Sequence, residues 1–251
     1  MLCVYMALFL TGHGYNGSAQ SGSRTSTETV AQVTAQLVLP AAKPHGATKQ
    51  AMKTPPAVLW LTPVSSTAAI DKVAALPTPP ETFTLLQKDK MFTPHLLVVP
   101  VGSSVAFPNA DPFFHNVFSL FDGRRFDLGL YEAGSTRSVV FGREGVSYIF
   151  CNIHSEMSAV VISLSTPFYS VADQHGGFHL KDVPEGDYEL HVWIEGQRQS
   201  SVERPIRKVH VPAGTIDLGQ VGGSSLLEDP KHVPHLNKFG RPYEPDPNPI
   251  Y

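Results

Sequence analysis

The stretch Phe150-Cys151-Asn152-Ile153-His154-Ser155-Glu156-Met157 carries a thiol, an imidazole and a thioether in a Cys-x-x-His-x-x-Met spacing. It follows the run Val146-Ser147-Tyr148-Ile149-Phe150, whose composition is that of a β-strand, so it reads as a tight loop leaving that strand. A loop of this size can turn all three donor atoms toward one point. A second imidazole lies upstream, in Phe114-His115-Asn116-Val117, and only folding can bring it alongside.

Two imidazoles and a thiolate with a weakly held axial thioether form the donor set of a blue-copper site. His115, Cys151, His154 and Met157 are therefore candidate ligands for copper, in both its Cu(I) and Cu(II) states. Thiolate and thioether are soft donors that favour Cu(I), whereas imidazole suits Cu(II) as well, so a mixed set holds both states with little change. Tyr148 and Phe150 are expected to keep water from the Cys151 sulfur. Other readings of these residues exist. A buried Cys is commonly an inert small hydrophobe. A Cys/His nucleophilic pair would leave Met157 without a role and has no evident orienting Asn or Asp. Glu156 in place of Met157 would make a harder site. His95, just before an expected strand, reads as a surface residue, a neighbour of the ligands or an extra ligand.

With 251 residues, the chain can bury a substantial core in one large or two modest domains. Its 22 Pro, 20 Gly and only 16% charged residues favour turn-rich β structure over long helices. The net charge of −3, without any Lys/Arg run, gives no reason to expect a nucleic-acid partner. Residues 1–19 begin with a short apolar run and end in small polar residues, as a secretory signal does, although a positive leading segment is lacking. Its removal would take Cys3 away and leave Cys151 as the one thiol, which excludes an intramolecular disulfide and any site built on several cysteines. A periplasmic or secreted protein without a transmembrane span in its mature form is expected.

Strand patterns recur from residue 33 onward, at 33–39, 57–61, 96–99, 104–107, 116–120, 136–141, 146–150 and 158–164. A short helix is expected within 68–75, stopped by Pro77. Gly102, Gly123, Gly134 and Gly145 mark turns where positive φ is inexpensive. Further strands follow to 218, and the remainder, ending Pro242-Tyr243-Glu244-Pro245-Asp246-Pro247, reads as an extended tail that docks on a surface or stays mobile.

Residues 83–165 resemble a cupredoxin, with a metal loop similar to that of amicyanin. The matching elements are Phe92-Thr93-Pro94, Val101-Gly102-Ser103-Ser104-Val105, Asn109, His115-Asn116-Val117, and Gly145 through Tyr148 leading to Cys151. The resemblance implies His115, Cys151, His154 and Met157 as copper ligands, with Asn116 tying the two ligand loops together. It also implies that His154 reaches the surface through an apolar patch, for which Pro112, Phe113, Phe114 and Ile153 are candidates. Residues 167–194 resemble the transthyretin-like domain of the carboxypeptidase regulatory type, through Val171-Ala172-Asp173-Gln174-His175-Gly176-Gly177-Phe178, Asp182-Val183-Pro184-Glu185-Gly186 and Tyr188-Glu189-Leu190-His191-Val192. Its first two strands are missing just before Pro167, and the segments at 33–39 and 57–62 would supply them.

The expected fold is all-β: a Greek-key cupredoxin sandwich inserted into a second, transthyretin/Ig-like sandwich. The expected divisions are a signal segment (1–19), a linker (20–29), the first strands of the outer sandwich (30–78), the cupredoxin (79–165), the rest of the outer sandwich (166–221) and a Pro-rich tail (222–251). The function expected is single-electron transfer with a redox protein such as a cytochrome or a periplasmic oxidoreductase. The alternative is a non-redox copper scaffold, storage or delivery protein. Enzymatic activity is not expected, because four protein ligands leave no open coordination position.

Overall fold

A computed structural model describes residues 30–39, 54–65, 71, 81–120, 123–197, 205–222 and 236–243. The expected signal segment and linker lie outside these residues, as does the short helix expected within 68–75 apart from Asp71. In chain order the strands are β1 (Val30–Val38), β2 (Ala57–Pro63), β3 (Thr82–Thr84), β4 (Leu86–Lys88), β5 (Met91–Thr93), β6 (Leu96–Pro100), β7 (Ser104–Pro108), β8 (His115–Ser119) and β9 (Phe126–Tyr131). They continue with β10 (Thr136–Val140), β11 (Gly145–Phe150), β12 (Ser158–Leu164), β13 (Tyr169–Val171), β14 (Gly177–Pro184), β15 (Gly186–Ile194), β16 (Arg207–Val211) and β17 (Gly214–Gly222).

The described residues form five sheets, of which the two-stranded β4-β5 is the smallest and the other four stack in layers. The outermost has the order β14-β1-β17 and faces the sheet β13-β2-β15-β16; next comes β6-β12-β11-β8-β9, and finally β10-β7-β3. The alternation of side chains along each strand builds the layers. On β2, Ala57, Leu59 and Leu61 enter the core of the outer sandwich, while Val58 and Trp60 point the other way. On β12, Ala159 and Val161 enter the inner sandwich, and Val160, Ile162 and Leu164 meet Val58, Trp60 and Trp193. Both strands are therefore mainly apolar, because each is covered on two faces. The junction between the sandwiches is a third hydrophobic core.

The chain leaves the outer sandwich after β2 and returns through β13, which pairs directly with β2 through Tyr169↔Trp60 and Val171↔Val58. The Thr166 hydroxyl donates to the Leu61 carbonyl at 2.8 Å, so the returning chain is fastened beside the point of departure. An insertion with adjacent ends disturbs its host little. A second tie crosses the junction at His95, whose Nδ1 lies 3.1 Å from the Ser158 carbonyl and whose Nε2 lies 2.6 Å from Glu195 Oε1. Both partners are acceptors, so the arrangement favours the imidazolium, in which both ring nitrogens donate. The hydrogen bond to Glu195 accordingly raises its pKa above the ordinary histidine value, against the opposing effect of burial.

Gly123 differs from its expected role as a positive-φ turn. A Cβ there would lie 2.2 Å from the Ser147 hydroxyl oxygen, so the requirement is close approach to β11. Gly102 and Gly134 do have positive φ, at 92° and 76°.

Two outcomes test this architecture. Trp193→Ala removes one of the two tryptophans of the junction and should cost about 3–5 kcal/mol, read by chemical denaturation with circular dichroism. Because the His95 pKa is raised on folding, its contribution is full below the unfolded histidine pKa and is lost as pH rises through the folded value. His95→Gln should therefore lower the melting temperature more at pH 5.5 than at pH 8.

Candidate metal centre

The site forms at one end of the β11–β12 hairpin. Antiparallel pairing runs from Gly145↔Ser163 to Phe150↔Ser158, leaving residues 151–157 as the connecting loop. The Cys151 amide donates to the Met157 carbonyl at 3.2 Å and the Met157 amide to the His154 carbonyl at 3.1 Å, which closes the loop on itself. The Ile153 amide points at the Cys151 sulfur, 3.5 Å away. β8 is held beside β11 at Phe118↔Phe150, and this places His115, its first residue, over the loop.

The sulfur of Cys151 lies 3.8 Å from His115 Nδ1 and 3.7 Å from His154 Nδ1. All three donor atoms fall within 4.8 Å of one another, so these residues can hold a metal ion. An ion about 2.3 Å from a thiolate and about 2.0 Å from an imidazole, at a trigonal angle, separates sulfur from nitrogen by about 3.7 Å. The donor spacing fits a first-row transition metal without rearrangement. Met157 is fully buried in the same apolar core as Cys151.

Asp111 sets the orientation of His115. Its carboxylate, 5% exposed, accepts from His115 Nε2 at 2.8 Å, from the Asp89 amide at 2.7 Å and from the Lys90 amide at 3.1 Å. A carboxylate only accepts, so the ring proton resides on Nε2 and the Nδ1 lone pair faces Cys151. The two amides belong to the turn between β4 and β5, where Asp89 and Lys90 take φ of 55° and 56°. Burial pushes the Asp111 carboxyl up, but the bonds from His115, Lys90 and Asp89 outweigh it and hold the pKa below the usual value. Asn109 shapes the approach: its side-chain oxygen accepts from the Asp111 amide and its Nδ2 donates to the Phe113 carbonyl.

Burial lowers the pKa of His115, against the pull of Asp111. Burial also lowers that of His154, helped by the neighbouring His115 and Lys90 charges. Both rings are thus kept neutral near pH 7, the form that binds metal.

The remaining candidates are placed as follows. Phe113 is half-buried and forms a wall, with its ring centroid 5.2 Å from that of His115 and 5.6 Å from that of His154. Pro112 is exposed, as are Phe114 (56%) and Ile153 (45%), while His154 itself is only 9% exposed. His95 lies outside the donor cluster with both nitrogens engaged elsewhere, and Glu156 is exposed and outside it as well. Tyr148 does not shield the sulfur. It shares a face of β11 with Val146 and packs into the junction, whereas Ile149 and Cys151 point to the opposite face, where Val117 and Tyr131 share their core.

Asn116 does not bridge to the Cys151 loop. Its Nδ2 donates instead to Asp127 Oδ1 on β9, at 2.7 Å. Besides the Phe118↔Phe150 pairing, a further link between the two ligand segments comes from the C-terminal residues. Lys238 Nζ lies 2.8 Å from Asp127 Oδ2, its amide donates to Asn152 Oδ1 at 3.0 Å, and the Tyr243 hydroxyl donates to the Cys151 carbonyl at 2.6 Å. Asp111 could have been noticed in the sequence as a carboxylate four residues before His115. Nothing in the sequence marked Asp127, Lys238 or Tyr243.

No family model and no curated protein matches the chain. Among solved structures, the chain is similar to a purple cupredoxin from Nitrosopumilus maritimus, at 23% identity over 33% of this chain and 99% of that one, with a TM-score of 0.30. It is also similar to a Cu(I) form of an amicyanin variant, at 18% identity over 37% of this chain and 90% of that one, with a TM-score of 0.30. A copper-containing nitrite reductase from Thermus scotoductus SA-01 matches at 21% identity over 41% of this chain and 28% of its own length, with a TM-score of 0.33.

Asp111→Ala should leave the His115 ring free to rotate and lower metal affinity about 10–100-fold, the usual cost of losing a partner that orients a ligand. Competition titration against a chromophoric chelator measures it.

Proposed function

We propose that His115, Cys151, His154 and Met157 hold one copper ion in a type 1 site, and that the protein carries single electrons in the periplasm or outside the cell. The observation that carries this reading is the spacing of two histidine Nδ1 atoms at 3.8 and 3.7 Å from one buried cysteine sulfur. Soft sulfur and imidazole donors exclude a hard cation, and the thioether of Met157 beside one thiolate and two imidazoles favours copper over zinc, which takes Cys, His and carboxylate ligands. When bound, copper supplies a Cu(II)/Cu(I) couple. The protein's part is to hold the donors still: Asp111 locks one imidazole, the closed loop locks the thiolate, and the surrounding core excludes water.

The electron would pass at His154, where Pro112, Phe114 and Ile153 offer an apolar landing surface to a redox partner such as a cytochrome or a periplasmic oxidoreductase. Four protein donors would leave no open coordination position for a substrate, which favours a carrier over an enzyme.

Copper-loaded protein should show an intense visible thiolate charge-transfer band and a reversible one-electron wave. Cys151→Ser should lose the band while its far-ultraviolet circular dichroism stays that of the parent. The same Cu(II) spectrum in the serine variant would overturn the assignment, and a colourless parent that gives up copper readily would favour storage or delivery.

A further inference from the structure

We propose that the C-terminal segment 236–243 is a strap that positions the metal-binding loop, with Tyr243 and Lys238 as its positioning residues. Its effect on a bound ion rests on the copper reading above, whereas its contacts with the loop do not.

The strap meets the loop at two consecutive residues. The Tyr243 hydroxyl donates to the Cys151 carbonyl, and the Lys238 amide donates to the side-chain oxygen of Asn152. The carbonyl it holds belongs to the residue whose sulfur is the central donor of the site. Tyr243 is half-buried, and burial pushes its pKa up to about 12, so the phenol keeps its proton and remains a donor at any physiological pH.

A third contact reaches the other ligand segment. Lys238 Nζ pairs with Asp127 Oδ2, while Asp127 Oδ1 accepts from Asn116, the residue after His115. One short segment thereby joins the Cys151 loop to the His115 strand, the task that sequence reading gives to Asn116 alone. The ion pair is partly solvated and contributes little by itself. The two bonds to the loop carry the greater weight.

The segment is also ordered by its own bonds. The Asn237 amide donates to the Arg241 carbonyl at 2.8 Å and the Gly240 amide to the Asn237 carbonyl at 2.9 Å. The Asn237 side-chain oxygen accepts from the Phe239 and Arg241 amides, and Gly240 supplies the positive φ of 71° that the turn requires. A self-closed turn brings Lys238 and Tyr243 to the loop with little further entropy to lose.

The decisive experiment measures alkylation of Cys151 by iodoacetamide in metal-free, full-length protein, with mass-spectrometric mapping to separate it from Cys3. Cys151 is fully buried, so the rate reports opening of the loop. Tyr243→Phe removes one hydroxyl and should speed alkylation about fivefold, the equivalent of one hydrogen bond. Adding Asn152→Ala, which removes the acceptor of the Lys238 amide, should bring the increase to about tenfold, with the melting temperature nearly unchanged. In copper-loaded protein, the same variants should shift the visible band and release copper to a chelator faster by similar factors. Alkylation within twofold of the parent in the double variant would overturn the strap. Faster alkylation in a protein that takes up no copper would instead sink the copper reading and leave the strap standing.

Discussion

The pairing of Phe150 with Ser158 is the constraint from which the site follows. It fixes the length of the loop between β11 and β12, and it fixes parity at both ends. Ile149 and Cys151 point into the inner core on one strand, and Met157 and Ala159 do so on the other. A shift of one residue in this register would put the thiol and the thioether on opposite faces of the hairpin. The same alternation sends Tyr148, Val160 and Ile162 outward to meet Trp193 and Trp60, so the hairpin that forms the site also carries the second sandwich. Site geometry and domain junction are two faces of one pair of strands.

Preassembly of the donors has a cost that the surroundings offset. Two imidazoles and a thiol packed together out of water lose hydration, and one ring can adopt the wrong tautomer. Asp111 addresses the second problem by accepting the His115 Nε2 proton, and its remaining acceptor capacity goes to the amides of Asp89 and Lys90. Those residues occupy a left-handed backbone conformation, which Asp tolerates but Lys adopts reluctantly. The carboxylate therefore stabilises a strained turn and orients a candidate ligand at the same time, which accounts for its burial. The neutral state favoured for His115 and His154 suits an ion that must compete with protons.

Much of the all-β fold is legible from local pattern, because β2 and β12 are mainly apolar runs of strand length and β15 alternates polar and apolar residues after the Pro184-Glu185-Gly186 turn. β9 is not legible in that way: Phe126-Asp127-Leu128-Gly129-Leu130-Tyr131 lies at a sheet edge, and Gly129 takes a φ of 67°, so it lacks the composition of a covered strand. β3, β4 and β5 have only three residues each and are too short for period-two reading. The tail shows the same limit more sharply. Its proline content predicts extended chain, but Lys238 and Tyr243 find Asn152 and Cys151 across 86 and 92 residues of sequence, and no local pattern encodes that meeting.

What the sequence determined by itself is the chemistry: a thiol, an imidazole and a thioether spaced on one loop after a strand, and an apolar periodicity that commits the chain to stacked sheets. Spacing within a short loop is a local property, so it survives without coordinates. Only the tertiary structure decided that His115 turns Nδ1 toward Cys151, that Tyr148 faces the junction instead of the sulfur, and that Asn116 reaches Asp127 instead of the loop. Those outcomes depend on strand parity, sheet order and a carboxylate brought in by a neighbouring turn. Each is a relation between segments that the chain brings together only on folding.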